Sequence, residues 1–125
     1  MMICFDWIFP ESIRSLALLG ADIIAHSANL VLPYCQKAMI NRCLENRVFG
    51  ITANRIGTEK RGEDEFKFTG ASQITATDGE ILSSAPVNDI SVDIIEIDIF
   101  KARNKSLNEY NNLFEDRKPN FYTLG

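Results

Sequence analysis

Hydrophobic and polar positions along the chain change period several times, and each change marks an element. Apolar residues over 2–5 form the stump of a strand. The stretch 10–19 is predicted as a helix, with Pro10 in its first turn, Glu11 near its positive end and Gly20 behind it. A second strand over 23–26 leads to a second helix over 34–47, opened by Pro33, with Met39 and Cys43 spaced for one face. Residues 49–54 return as a third strand. Strand, helix, strand, helix, strand is the order of an α/β layered fold, in which helices cover a sheet.

The polar stretch 58–67 holds four acids and three bases and reads as a solvated loop. Segments 71–76 and 81–85 flank Asp78-Gly79 and predict a hairpin, because Asp-Gly supplies the positive φ angles of a tight turn. Ile90, Val92 and Ile94 alternate with polar residues, and Ile95, Ile97 and Ile99 continue on the other phase, which predicts a strand buried on both faces near its middle. Leu107, Tyr110, Leu113 and Phe114 recur at helical spacing, and the tail 116–125 is polar with a proline and aromatic anchors.

Composition narrows the classes without naming one. With 125 residues, 46% of them hydrophobic and 24% charged, the chain is sized for one globular domain over 1–125. A net charge of −4 and no dense Lys/Arg cluster argue against nucleic acid as a partner. Asp6 interrupts the first apolar stretch, which has no basic leader, and no uncharged apolar run approaches the length of about 18 residues that a membrane helix needs. The expected setting is the cytoplasm, with no membrane partner and with reduced thiols. Cys4, Cys35 and Cys43 form an odd set without a C-x-x-C pair, and one histidine, His26, does not complete a zinc cluster, so no metal is expected.

Two readings of Cys4 stand side by side. It sits at a strand end a few residues ahead of a helix whose positive end favours a thiolate, which suits a nucleophile. It also reads as a small apolar residue of a core strand, the commoner setting of a free cysteine.

The surrounding residues add a resemblance. Ile3-Cys4-Phe5-Asp6-Trp7-Ile8-Phe9-Pro10-Glu11 resembles the nucleophile segment of the nitrilase superfamily of carbon-nitrogen hydrolases. Similar patterns follow in Ala21-Asp22-Ile23-Ile24, Ala28-Asn29, Arg42 with Glu45-Asn46, Ala53-Asn54-Arg55 and Phe68-x-Gly70-x-Ser72. The resemblance implies a partial α-β-β-α sandwich: the C-terminal portion of a carbon-nitrogen hydrolase domain, beginning just before the nucleophilic cysteine. It implies that Cys4 is the nucleophile of a cofactor-free amidase or nitrilase working through a thioester, with the backbone amide of Phe5 as oxyanion donor. Cys35 and Cys43 remain structural, and His26 is expected as a satisfied core or interface residue without a catalytic role.

The family's glutamate base and lysine lie upstream of the cysteine, and only Met1 to Ile3 precede Cys4 here. The 125 residues alone are therefore expected to be inactive, and the chain to be a truncation, one half of a split enzyme or a decayed enzyme. The alternative is a non-catalytic interaction or oligomerisation module. Expected partners are a small amide or nitrile, and either a second copy or the missing N-terminal half. Glu11, Arg42 and Glu45 are expected to brace the site. In the carbamoyl-amino-acid branch, arginines at the positions of Trp7 and Ile8 hold a carboxylate; apolar residues here, with Asn29 on the pocket wall, imply a neutral or amine-bearing acyl group instead.

Overall fold

The computed structural model describes residues 1–122. In chain order they form β1 (Met2–Ile3), a 3₁₀ segment (Cys4–Ile8), α1 (Pro10–Leu18), β2 (Ile23–Ala28), α2 (Cys35–Asn46), β3 (Phe49–Asn54) and β4 (Thr58–Arg61). Then follow β5 (Asp64–Lys67), β6 (Gln73–Thr75), β7 (Ile81–Ser84), α3 (Phe100–Arg103) and a 3₁₀ turn (Pro119–Phe121). Five strands make one sheet in the order β1-β2-β3-β6-β7. The first three are parallel, with Met2 opposite His26 and His26 opposite Thr52; β6 and β7 run antiparallel. The α/β class read from the sequence is the observed one.

Alternation on β2 shows how the layers form. Ile24, His26 and Ala28 are buried on one face, whereas Ile23, Ala25 and Ser27 are exposed on the other. Ile13 and Ala17 of α1 and Cys35, Met39 and Cys43 of α2 close over the buried face, together with Trp7. Burying each such large side chain stabilises by roughly 1.5–3 kcal/mol. α2 lies so close to β3 that a Cβ at Gly50 would come within 2.7 Å of Cys43 Sγ and 3.1 Å of Met39 Cε.

α2 stops at Arg47, whose φ of 44° is left-handed. Its last carbonyls are satisfied from far along the chain: Lys105 Nζ donates to the oxygens of Asn46 and Arg47, each at 2.9 Å. A cation there also complements the negative end of the helix. Burial lowers the Lys105 pKa.

The structure corrects three expectations. Residues 58–67 are a hairpin, β4 with β5, not a loop; the register sets Lys60 against Glu65 and Arg61 against Asp64, and opposite charges across an antiparallel pair stabilise it. Gly62 at its tip takes the positive φ of 65° that the turn needs. No strand forms over 90–99. Ile90, Val92 and Ile94 are 91%, 85% and 92% exposed, while Ile97 packs against the cluster of Phe49, Ala76 and Ala102. Alternation signals a strand only where a neighbouring backbone accepts the ladder, and this segment has none among the described residues.

The predicted helix around 107–114 is likewise absent. Asn108 Oδ1 accepts from the amides of Tyr110 and Asn111, and Asn112 Oδ1 accepts from those of Phe114 and Glu115. These side chains compete with the helical ladder and fold the stretch into turns, with a bridge between Ser106 and Asn112. Leu107 and Tyr110 point to solvent. Of the tail aromatics, Phe121 and Tyr122 are exposed; positions 123–125 lie outside the described residues. Among the described residues no helix is long and apolar enough to cross a membrane, and no cluster of His, Cys, Asp and Glu is arranged for a metal ion.

Gly50→Ala tests the α2–β3 contact. The added methyl forces Cys43 or Met39 to shift, and the urea midpoint should fall by the equivalent of about 1–3 kcal/mol.

Candidate active site

β1 ends at Ile3, and the chain turns at once. Cys4 has φ 46°, a left-handed backbone at a non-glycine residue, before the 3₁₀ segment carries it toward α1. Such a conformation costs about 1–3 kcal/mol and is held by its surroundings. Asp6 closes the turn from below, its Oδ2 accepting the Ile3 amide at 2.9 Å while its carbonyl accepts the Ser12 hydroxyl at 2.8 Å. α1 does not start until Pro10, so its positive end is not what Cys4 abuts; the 3₁₀ segment lies between.

Parallel strands leave their carboxyl ends on one edge, where open α/β sheets bind ligands. Here that edge is an open recess of about 390 Å³ lined by Cys4 after β1, Ala28 and Asn29 at the end of β2, and Asn54 and Arg55 at the end of β3. Cys4 is half-exposed in it; Cys35 and Cys43 are buried. Burial pushes both of those thiols up to about 12, with nearby Cys4 adding to the effect on Cys35.

The recess is held open by Asn54. Its Oδ1 accepts the Leu30 amide at 2.9 Å and its Nδ2 donates to Thr69 Oγ1 at 2.8 Å and Gly70 O at 2.6 Å, joining the loops after β2 and before β6. Arg55 lies over the Phe68 ring at 4.3 Å and pairs with Glu59.

The structure brings Cys4 and Asn29 together and leaves the other expected wall residues apart. The Trp7 indole turns into the core, 2% exposed, and Ile8 is part-exposed; neither lines the recess. The Phe5 ring packs edge-on with Trp7 at 6.0 Å and with Phe9 at 5.7 Å. Arg42 of α2 grips the same segment, donating from Nε to Trp7 O at 3.4 Å and from Nη2 to Ile8 O at 3.2 Å, while Nη1 pairs with Glu45 Oε1 at 3.2 Å. Glu45 and Glu11 line a second recess of about 400 Å³ with Arg14, whose Nη2 donates to Glu45 O at 2.8 Å. Burial lowers the Arg14 pKa, against the opposing influence of Glu45.

His26 is the satisfied core residue that the sequence leads one to expect, but its partners were not legible there. It is buried, with Nε2 2.9 Å from the Cys4 carbonyl oxygen and Nδ1 3.2 Å from Thr52 Oγ1. A lone histidine on an alternating strand gives no sign of its partners; parallel register supplies them. Asp6, Asn54 and Arg55 were visible as parts of motifs, but their hydrogen bonds were not.

The family model for carbon-nitrogen hydrolases matches residues 1–104. A nitrilase of Pyrococcus abyssi is 51% identical over 122 residues, covering 98% of this chain and 45% of that protein. The structure of a carbon-nitrogen hydrolase from Helicobacter pylori superposes with a TM-score of 0.77 at 22% identity, over 97% of this chain and 46% of that one, and shares the fold. An amidase of Nesterenkonia sp. AN1, solved with the acetamide moiety of fluoroacetamide added covalently at its active-site cysteine, superposes with a TM-score of 0.61 at 26% identity over 69% of this chain and 32% of that one. The chain thus spans less than half the length of these relatives. On the family match and the identity to the Pyrococcus abyssi protein, the chain belongs to the carbon-nitrogen hydrolase family of the nitrilase superfamily.

Proposed function

We propose that these 125 residues are the nucleophile-bearing, C-terminal portion of a cysteine amidase acting on small non-peptide amides or nitriles. The observation that carries this is Cys4 itself: a strained residue, φ 46°, half-exposed at the carboxyl ends of three parallel strands and opening into a recess. The covalent adduct at the active-site cysteine of the Nesterenkonia amidase supports the same role here.

In this reading the Cys4 thiolate attacks the amide carbon, and the carbonyl electron pair moves to oxygen, where the Phe5 N–H donates to it. Collapse breaks the C–N bond, the departing amine takes a proton, and a thioester remains. Water then cleaves the thioester, releasing the acid and restoring the thiol. Proton transfer is worth about 10²–10⁴-fold, and the resemblance puts the glutamate and lysine that serve it outside these 125 residues. The chain alone therefore turns over negligibly.

The sheet face away from the helices is covered only around Phe49, and its bare part supports a further layer. Ile3, Ile23 and Ile51 are 56%, 37% and 40% exposed opposite the helices, an apolar surface that stays in water only without a partner. The rest of the family domain would cover it; stable self-association through it, with no turnover in any combination, would favour the interaction-module reading instead. Arg42 and Glu45 brace the 3₁₀ segment. Trp7 and Ile8 stand off the recess, so a preference for a neutral or amine-bearing acyl group beside Asn29 rests on the family resemblance, which puts carboxylate-binding arginines at those two positions in the carbamoyl-amino-acid branch.

Two outcomes are expected. Iodoacetamide at pH 8 should alkylate Cys4 and spare Cys35 and Cys43, because thiols held near 12 are about 10⁻⁴ ionised at that pH; peptide mass spectrometry reads the site, and equal labelling of all three would contradict the structure. Supplied with the N-terminal portion of the Pyrococcus abyssi nitrilase, the chain should hydrolyse simple amides in preference to carbamoyl amino acids, and Cys4→Ala should abolish ammonia release. Turnover that survives Cys4→Ala would sink the proposal.

A further inference from the structure

We infer that His26 is a positioning residue for this chemistry: its Nε2–H, bonded to the Cys4 carbonyl oxygen, fixes the plane of the Cys4–Phe5 peptide and so aims the Phe5 N–H at the oxyanion. The inference rests on Cys4 being the nucleophile and adds to it the group that sets the donor's direction.

The Cys4 carbonyl and the Phe5 amide belong to one peptide unit. That unit is planar and trans, so its C=O and N–H point in opposite directions and fixing one fixes the other. His26 holds the carbonyl from the helix-covered face of β2, at 2.9 Å. A carbonyl only accepts, so Nε2 carries the proton; in the neutral ring Nδ1 then accepts the Thr52 hydroxyl at 3.2 Å. The imidazole is tethered at both nitrogens, between β1 and β3, by the register that sets Met2, His26 and Thr52 side by side.

The tether has a directional consequence. The 3₁₀ segment begins at Cys4, so the Phe5 N–H lies in its first turn, where the segment offers no carbonyl three residues back to accept it. A flip of the Cys4–Phe5 peptide would turn that N–H inward and leave the buried His26 donor without an acceptor, which disfavours the flipped state. A hydrogen bond to the carbonyl also polarises the amide and strengthens its N–H as a donor.

The experiment compares two reagents on the 125-residue chain. p-Nitrophenyl acetate acylates Cys4 through a tetrahedral oxyanion and expels p-nitrophenolate; iodoacetamide alkylates it by displacing iodide, with no oxyanion. His26→Leu should lower the Cys4 acylation rate about tenfold relative to its alkylation rate, as expected for a misaimed donor. His26→Gln, which keeps an N–H near the Nε2 position, should restore most of the ratio. A ratio unchanged by His26→Leu, whether both rates fall together or neither falls, overturns the inference. Should His26→Leu not fold, Thr52→Val, which frees one end of the ring, must lower the same ratio, and nitrogen NMR of the unsubstituted chain must show the Nε2–H tautomer. An Nδ1–H tautomer also overturns it. A Cys4 acylated no faster than free cysteine, scaled to its alkylation, instead overturns the nucleophile proposal and this inference with it.

Discussion

Parallel pairing of β1, β2 and β3 is the constraint from which the rest of the site follows. β1 is only two residues long, yet its register against β2 places Met2 beside His26 and ends the strand where Cys4 must turn. Because the three strands run the same way, their carboxyl ends share one edge, and residues far apart in the chain, Cys4, Asn29 and Asn54, meet around one recess. The left-handed backbone at Cys4 is affordable because both flanks are held: His26 takes its carbonyl, and Asp6 takes the Ile3 amide.

α2 carries a second constraint, outward from the core. Its buried face packs on Gly50 of β3, and its Arg42 reaches the carbonyls of Trp7 and Ile8, so the helix that covers the sheet also grips the segment following Cys4. Distant chain completes this scaffold, since Lys105 closes the carbonyl end of α2 and its ammonium lies 5.0 Å from the Phe114 ring centre. Positioning at the recess and stability of the layer thus rest on shared contacts.

The two faces of the sheet differ in kind. One is sealed by α1 and α2; the other is covered around Phe49 by Ala102 and Ile97 but presents Ile3, Ile23 and Ile51 to solvent, residues far apart in sequence and joined only by strand register. The alternation over 90–94 also remains outside any sheet, its isoleucines and valine exposed. On the proposed function the rest of the family domain would cover both, since the chain spans 45% of its Pyrococcus abyssi relative.

The sequence by itself determined the α/β order, β3 to the residue, both long helices to within a residue or so at each end, the Asp78-Gly79 hairpin and the family, because each is a local signal: period, proline and glycine punctuation, or a contiguous motif. It also singled out Cys4 from three cysteines. Only the tertiary structure decided what depends on a partner across the fold. The charge-paired register made a hairpin of 58–67, and the lack of a neighbouring strand left 90–99 unpaired; Asn108 and Asn112 took the amides that a helix over 107–114 would have used. The same reason accounts for the site: the Trp7 indole turns inward and His26 meets the Cys4 carbonyl because strand register and helix packing set their neighbours, and neither is written in the residues beside them.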